Sequence, residues 1–140
     1  MSTKNSFRVL IAIPAIISFS MICSTNIFAQ KFTAPAWTDT LKNSNKNNPS
    51  AVQAGKKIYV QYCVICHGEK GKGDGVSVAG LPKHPTDHTS AEFQKQTDGA
   101  IFWEIGNSSS PMPMFKNTLK PNQMWQLVEY IRTLAIKAKK

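Results

Sequence analysis

The sequence predicts an all-α domain, and three observations carry that prediction. Apolar residues recur at three- and four-residue spacing in separate stretches, loops dense in glycine, serine and proline divide those stretches, and no run alternates as a half-buried strand would. The chain has 140 residues, enough for one small domain and too few for a two-domain enzyme.

The first stretch is of a different kind. Val9 to Cys23 is a continuous apolar run preceded by Lys4 and Arg8, and it ends near Ile27-Phe28-Ala29. Fifteen residues make about 22 Å of helix, short of the ~30 Å hydrocarbon core of a bilayer, and Pro14, Ser18 and Ser20 weaken the run further. The expectation is an export signal over residues 1–29, cleaved after Ala29, with an uncleaved membrane anchor as the poorer alternative. Cleavage removes Lys4 and Arg8 and no acid, so the formal charge falls from +9 to +7. The cations that remain are lysines except for Arg132. Nucleic-acid readers lean on arginine and exposed aromatics, so nucleic acid is excluded as a partner.

Residues 30–49 follow, with Lys42 to Asn48 made only of Lys, Asn and Ser. Such a run buries nothing, and a flexible N-terminal arm is expected, with Trp37 as the residue able to pin its first half. The ordered domain is expected over 50–140.

Ser50 and Gln53 have capping-box spacing, and Ala51, Gly55, Ile58, Tyr59 and Tyr62 follow on one face, which predicts a first helix over about 51–62. Gly68, Gly71, Gly73 and Gly75 then open a loop expected to run to residue 88. Thr89-Ser90-Ala91-Glu92 opens a short helical turn through Gln96. Asp98 is the expected N-cap of a helix over 99–105, closed by Gly106-Asn107. Ser108 to Phe115 form a second loop, stiffened by Pro111 and Pro113. The last helix begins at Pro121. Met124, Leu127, Val128, Ile131, Leu134 and Ala135 lie on one face of it, and Lys137, Lys139 and Lys140 suit its C-terminal end.

So few helices over about 90 residues make a thin core, and domains of this size need a disulfide, a metal or a cofactor. The candidate anchor is Cys63-Val64-Ile65-Cys66-His67. A redox C-x-x-C wants a βαβ context, and zinc wants two further ligands at matching spacing; neither is present. Covalent haem attachment needs this order of residues: two thiols spaced to reach two vinyl groups on one porphyrin edge, then an imidazole to meet the iron from one face. That chemistry is performed outside the cytoplasm, in accord with the export signal.

Here the chain resembles the class I c-type cytochromes, particularly the small exported bacterial monohaem ones, from about Ala54 to Leu134. The resemblance rests on Gly55 and Tyr59 before Cys63 to Gly68, on Gly71 to Gly75, on Thr97 to Trp103, on Met112-Pro113-Met114-Phe115, and on Trp125 to Arg132. It implies a cytochrome c fold of three to four helices wrapped around one covalently attached haem c, its N- and C-terminal helices crossing near Gly55 and Tyr130. It also implies a role in electron transfer. Cys63 and Cys66 would carry the thioethers and His67 the proximal iron bond. The M-P-x-F pattern puts the distal thioether on Met112, with Met114 as the rival. His84 and His88 are the remaining nitrogen candidates for that position, but lone loop histidines more often face solvent, and that is the expectation for both. Related sequences often place a proline after G-x-G-D-G, near the carbonyl that accepts the axial imidazole's hydrogen bond; Val76 stands there, so that acceptor is unassigned.

A filled sixth position leaves substrate nowhere to bind, so no catalytic residue and no small-molecule substrate are expected. A methionine ligand raises the reduction potential. Lys70, Lys72, Lys83 and Lys116 lie in the loops expected to flank the haem, and are candidates for steering an acidic redox protein or a membrane oxidoreductase complex to its edge. The expectation is a periplasmic carrier of single electrons. Two alternatives are a haem c subunit or domain partner of a larger oxidoreductase, and a haem enzyme or gas sensor with a vacated sixth site.

Overall fold

The computed structural model describes residues 33–136. The expected signal with its cleavage point after Ala29, and the lysines at 137, 139 and 140, lie outside the described residues. Within them are five α-helices: α1 (Pro49–Tyr62), α2 (Val64–His67), α3 (Ala91–Gln94), α4 (Asp98–Asn107) and α5 (Pro121–Thr133). Three 3-10 turns, at Ala36–Thr40, Val78–Gly80 and Phe115–Asn117, complete the set, and no strand occurs among the described residues.

The helix starts differ slightly from expectation because the capping side chain lies one or two positions earlier. Asn48, not Ser50, caps α1: its side chain accepts from Ser50 N and Ala51 N, and Pro49 occupies the first turn. Thr97, not Asp98, caps α4, its Oγ1 accepting from Ala100 N at 3.1 Å. Ser90 caps α3 by accepting from Phe93 N, and Gln123 Oε1 accepts from Lys120 N at the start of α5.

α1 packs chiefly against α5. The crossing is close because Gly55 has no side chain: a Cβ there would overlap the Gln126 carbonyl and stand 3.0 Å from Tyr130 Cβ. Beneath the crossing lies one apolar cluster, with Ile58, Tyr59, Leu127, Val128 and Ile131 from the helix pair and Ile101 and Ile105 from α4. The all-helical architecture is the one the sequence predicted, and the crossing at Gly55 is the one the family resemblance implied.

The flexible arm expected over 30–49 differs from what is found, since its described residues, from 33 on, belong to the same compact unit as the helices. The 3-10 turn at Ala36–Thr40 sits on α4, and a Cβ on Gly99 would overlap the Thr38 carbonyl. Thr38, at 1% exposure, is the pin; Trp37 is exposed. Further along, Asn43 Nδ2 donates to Glu129 Oε1 at 2.7 Å, Asn47 N to Glu129 Oε2 at 2.9 Å, and Asn45 Nδ2 to Asn122 Oδ1 at 2.9 Å. Asparagine composition predicted solvation, but these amides find partners on α5 instead. Polar pairing, not apolar burial, holds the segment.

The loop after α2 is also more organised than a plain connection. Gly68, Gly71 and Gly73 take φ near +75°, which only glycine adopts without strain. The turn they make returns N–H groups to the end of α2: Gly73 N donates to His67 O, Gly75 N to Cys66 O and Ser77 N to Ile65 O, at 2.9, 3.1 and 3.0 Å. The Val78–Gly80 turn follows, with Ala79 and Gly80 exposed, and a Cβ at Gly80 would meet nothing within 4 Å.

Candidate functional site

α2 begins as α1 ends, so Cys63, Cys66 and His67 stand together where the two helices meet. Both thiols are free; Cys63 is buried and Cys66 half-buried. Burial, then the neighbouring Cys66, pushes the Cys63 thiol up to about 12, so it is fully protonated near neutrality.

His67 is buried as well, and its Nδ1 lies 3.1 Å from the Thr86 carbonyl oxygen. A carbonyl only accepts, so Nδ1 carries the proton and Nε2 holds the free lone pair. Burial lowers the pKa of the ring, partly offset by that hydrogen bond, and favours the neutral imidazole a metal requires. The acceptor left open in the sequence is therefore Thr86 O. It follows Pro85, while Val76, directly after the glycine turn, is 90% exposed. The acceptor lies ten residues beyond Val76, farther along the chain than the family pattern suggested.

Sequence reasoning missed His88. It was expected in solvent, but it is 7% exposed and its ring stacks on His67, centroids 4.1 Å apart and planes 17° from parallel. Its backbone N–H donates to Gly71 O at 2.7 Å and its carbonyl accepts from Gln94 Nε2 at 2.7 Å, which draws the side chain inward. Desolvation, then His67, pushes its pKa down to about 3, so the ring is neutral. The Tyr59 hydroxyl donates to Gly68 O at 3.2 Å and so faces His88 Nδ1, 3.5 Å away, as a weak acceptor. No periodicity flags such a residue; only the loop's hydrogen bonds bury it. His84 is exposed, as expected.

These groups open on one cleft whose walls include Phe93, Ile101, Ile105, Phe115, Leu127 and Ile131. Cys63, His67 and Met112 line it too, so the imidazole and a thioether share one apolar space. Met112 is half-buried against the core, whereas Met114 is 41% exposed and does not line the cleft. The Met112 loop is tied across its base by Ser108, a buried residue whose Oγ donates to Pro113 O at 2.6 Å.

The residues present fit a covalently held haem: two unpaired thiols, a neutral imidazole with Nε2 free, a thioether, and apolar walls for the macrocycle. A zinc site has no ligand set, since no group of three or more His, Cys, Asp or Glu gathers for a metal ion among the described residues. Lys70, Lys72, Lys83 and Lys116 are all exposed, and Lys116 Nζ also donates to Asn107 Oδ1 at 3.0 Å.

Residues 52–135 match the family described as Cytochrome c. Among curated proteins, the chain is 32% identical over 98 residues to the quinohemoprotein alcohol dehydrogenase ADH IIB of Pseudomonas putida; the match covers 70% of this chain and 13% of that protein. Among solved structures, the reducing HAO-like protein complex Kustc0457/Kustc0458 of Kuenenia stuttgartiensis is similar at 28% identity and TM-score 0.58, over 69% of this chain and 47% of that one. The c-type cytochrome KustC0563 is 32% identical at TM-score 0.50, over 59% of this chain and 98% of that one. Cytochrome cL of Methylophaga aminisulfidivorans shares the fold at 19% identity and TM-score 0.54, over 71% of this chain and 63% of that one.

Proposed function

The chain belongs to the cytochrome c family, with haem c as its cofactor, and from that membership we propose that it is an exported, periplasmic carrier of single electrons with His67 and Met112 on the iron. Cys63 and Cys66 hold the haem by thioethers. His67 would bind the iron through Nε2, its ring oriented by the bond from Nδ1–H to Thr86 O. The haem supplies a one-electron iron couple; the protein supplies a dry cleft, fixed ligands and a docking face. The observation that carries the reading is the convergence of His67 and Met112 on one apolar cleft next to Cys63.

Met112 is favoured over Met114 because it lines that cleft while Met114 is exposed. A Met112 thioether would favour ferrous iron and leave no open position for substrate, which speaks for a carrier over a catalyst. Spectra of Met112→Ala and Met114→Ala test this directly. The methionine-to-iron band is expected to vanish, and carbon monoxide to bind tightly, in the Met112 variant alone. Loss in the Met114 variant instead, or tight carbon monoxide binding by the parent, would overturn the assignment.

The partner is an acidic redox protein or a membrane oxidoreductase complex, met through Lys70, Lys72, Lys83 and Lys116. A second reading, a haem c subunit or partner of a larger oxidoreductase, is favoured by the company the relatives keep: one is named a quinohemoprotein dehydrogenase and another an HAO-like complex. Purification as a free monomer supports the first reading over the second. Export agrees with the family chemistry, and no helix among the described residues is long and apolar enough to cross a membrane.

A further inference from the structure

His67 is held at one atom by the Thr86 carbonyl, and one hydrogen bond fixes where Nδ1–H points while leaving the ring plane free to rock about that line. A second constraint lies against its face. We infer that His88 is a positioning residue for the axial imidazole: its parallel ring, 4.1 Å away, sets the rotation of the His67 plane relative to the haem. The inference rests on the ligand assignment proposed above.

His88 is itself held from several sides, as a stacking template must be. Phe93 lies against it with centroids 4.8 Å apart, Tyr59 meets it edge-on at 6.0 Å, and its main chain is bonded at both N–H and C=O. An aliphatic side chain would fill the space but would offer no flat face; a phenyl ring would offer the face without the nitrogens. The plane of an axial imidazole directs the unpaired electron of low-spin ferric iron, so its rotation is read in the spread and order of the haem methyl shifts, and it also moves the reduction potential.

The test compares the ferric proton NMR spectrum and midpoint potential of parent, His88→Leu and His88→Phe holoproteins, each checked for covalent haem and for the methionine-to-iron band. The Leu variant is expected to keep both haem and band but to show a changed methyl-shift pattern and a shifted potential, while the Phe variant keeps the parental pattern. Parental shifts and potential in the Leu variant would overturn the role, and so would equal departures in both variants. Should the Leu variant yield no holoprotein, the Phe variant decides alone: a parental pattern supports the role and an altered one overturns it. A parent without a low-spin shift pattern defeats the ligand assignment and this role together, which separates that failure from one confined to His88.

Discussion

Asn43 Nδ2 donates to Glu129 Oε1 at 2.7 Å, joining residues 86 positions apart at a carboxylate only 7% exposed. The bond makes the segment before α1 part of the domain. Asn43→Ala leaves one oxygen of a buried charge short of a donor and should cost about 1–3 kcal/mol. Chemical denaturation of the holoprotein checks this, and an unmoved midpoint would mean that the Asn43–Glu129 bond contributes nothing to stability.

Gly55 offers a second test, at the helix crossing. Any Cβ there meets the Gln126 carbonyl, so α1 and α5 must separate. Gly55→Ala is expected to lose about 1–3 kcal/mol, with Gly55→Val worse. Gly80→Ala is the control, since nothing lies within 4 Å of its added carbon. Equal stability of the Gly55 and Gly80 variants would contradict the packing described.

The Ser108 hydroxyl closes the loop that presents Met112 by bonding Pro113 O at 2.6 Å. Ser108→Ala should cost about 1 kcal/mol. Its larger effect should be on the ligand: a weaker methionine-to-iron band and faster carbon monoxide binding than in the parent, both read by absorption. A variant with the parental band and the parental rate would show that Pro111 and Pro113 suffice to hold the loop.

Charge supplies the last test. If Lys70, Lys72, Lys83 and Lys116 steer an acidic partner, the second-order electron-transfer rate should fall steeply as salt rises through the range where the Debye length contracts from about 30 to 10 Å. The Lys→Gln variant of all four should be slower at low salt and nearly salt-independent. A flat profile for the parent would leave these lysines a solubility role only.

Most of the fold was legible because it rests on local signals. The period of Met124, Leu127, Val128 and Ile131 marks α5, the glycine run marks the turn, and C-x-x-C-H names its own chemistry. What escaped the sequence depends on long-range polar pairing. Asn43 and Asn47 read as solvated until Glu129 is placed opposite them. His88 reads as a surface histidine until Gly71 O and Gln94 draw its backbone inward. The Thr86 acceptor was hidden for a related reason: a carbonyl has no side-chain signature, and the intervening loop set it farther along the chain than the family spacing suggested.

The Val78–Gly80 turn exposes Ala79 and Gly80 at its end. Ser77, just before it, has its amide committed to α2, and Thr86, after it, is the His67 acceptor, so both roots of the excursion are anchored, while Ala79 and Gly80 are exposed and a Cβ on Gly80 would meet nothing within 4 Å. Doubling the length of a flexible loop costs only about 0.6 kcal/mol. This protrusion is accordingly the natural grafting point for a tag, a dye or an electrode tether, leaving the attachment turn and both helix partners undisturbed.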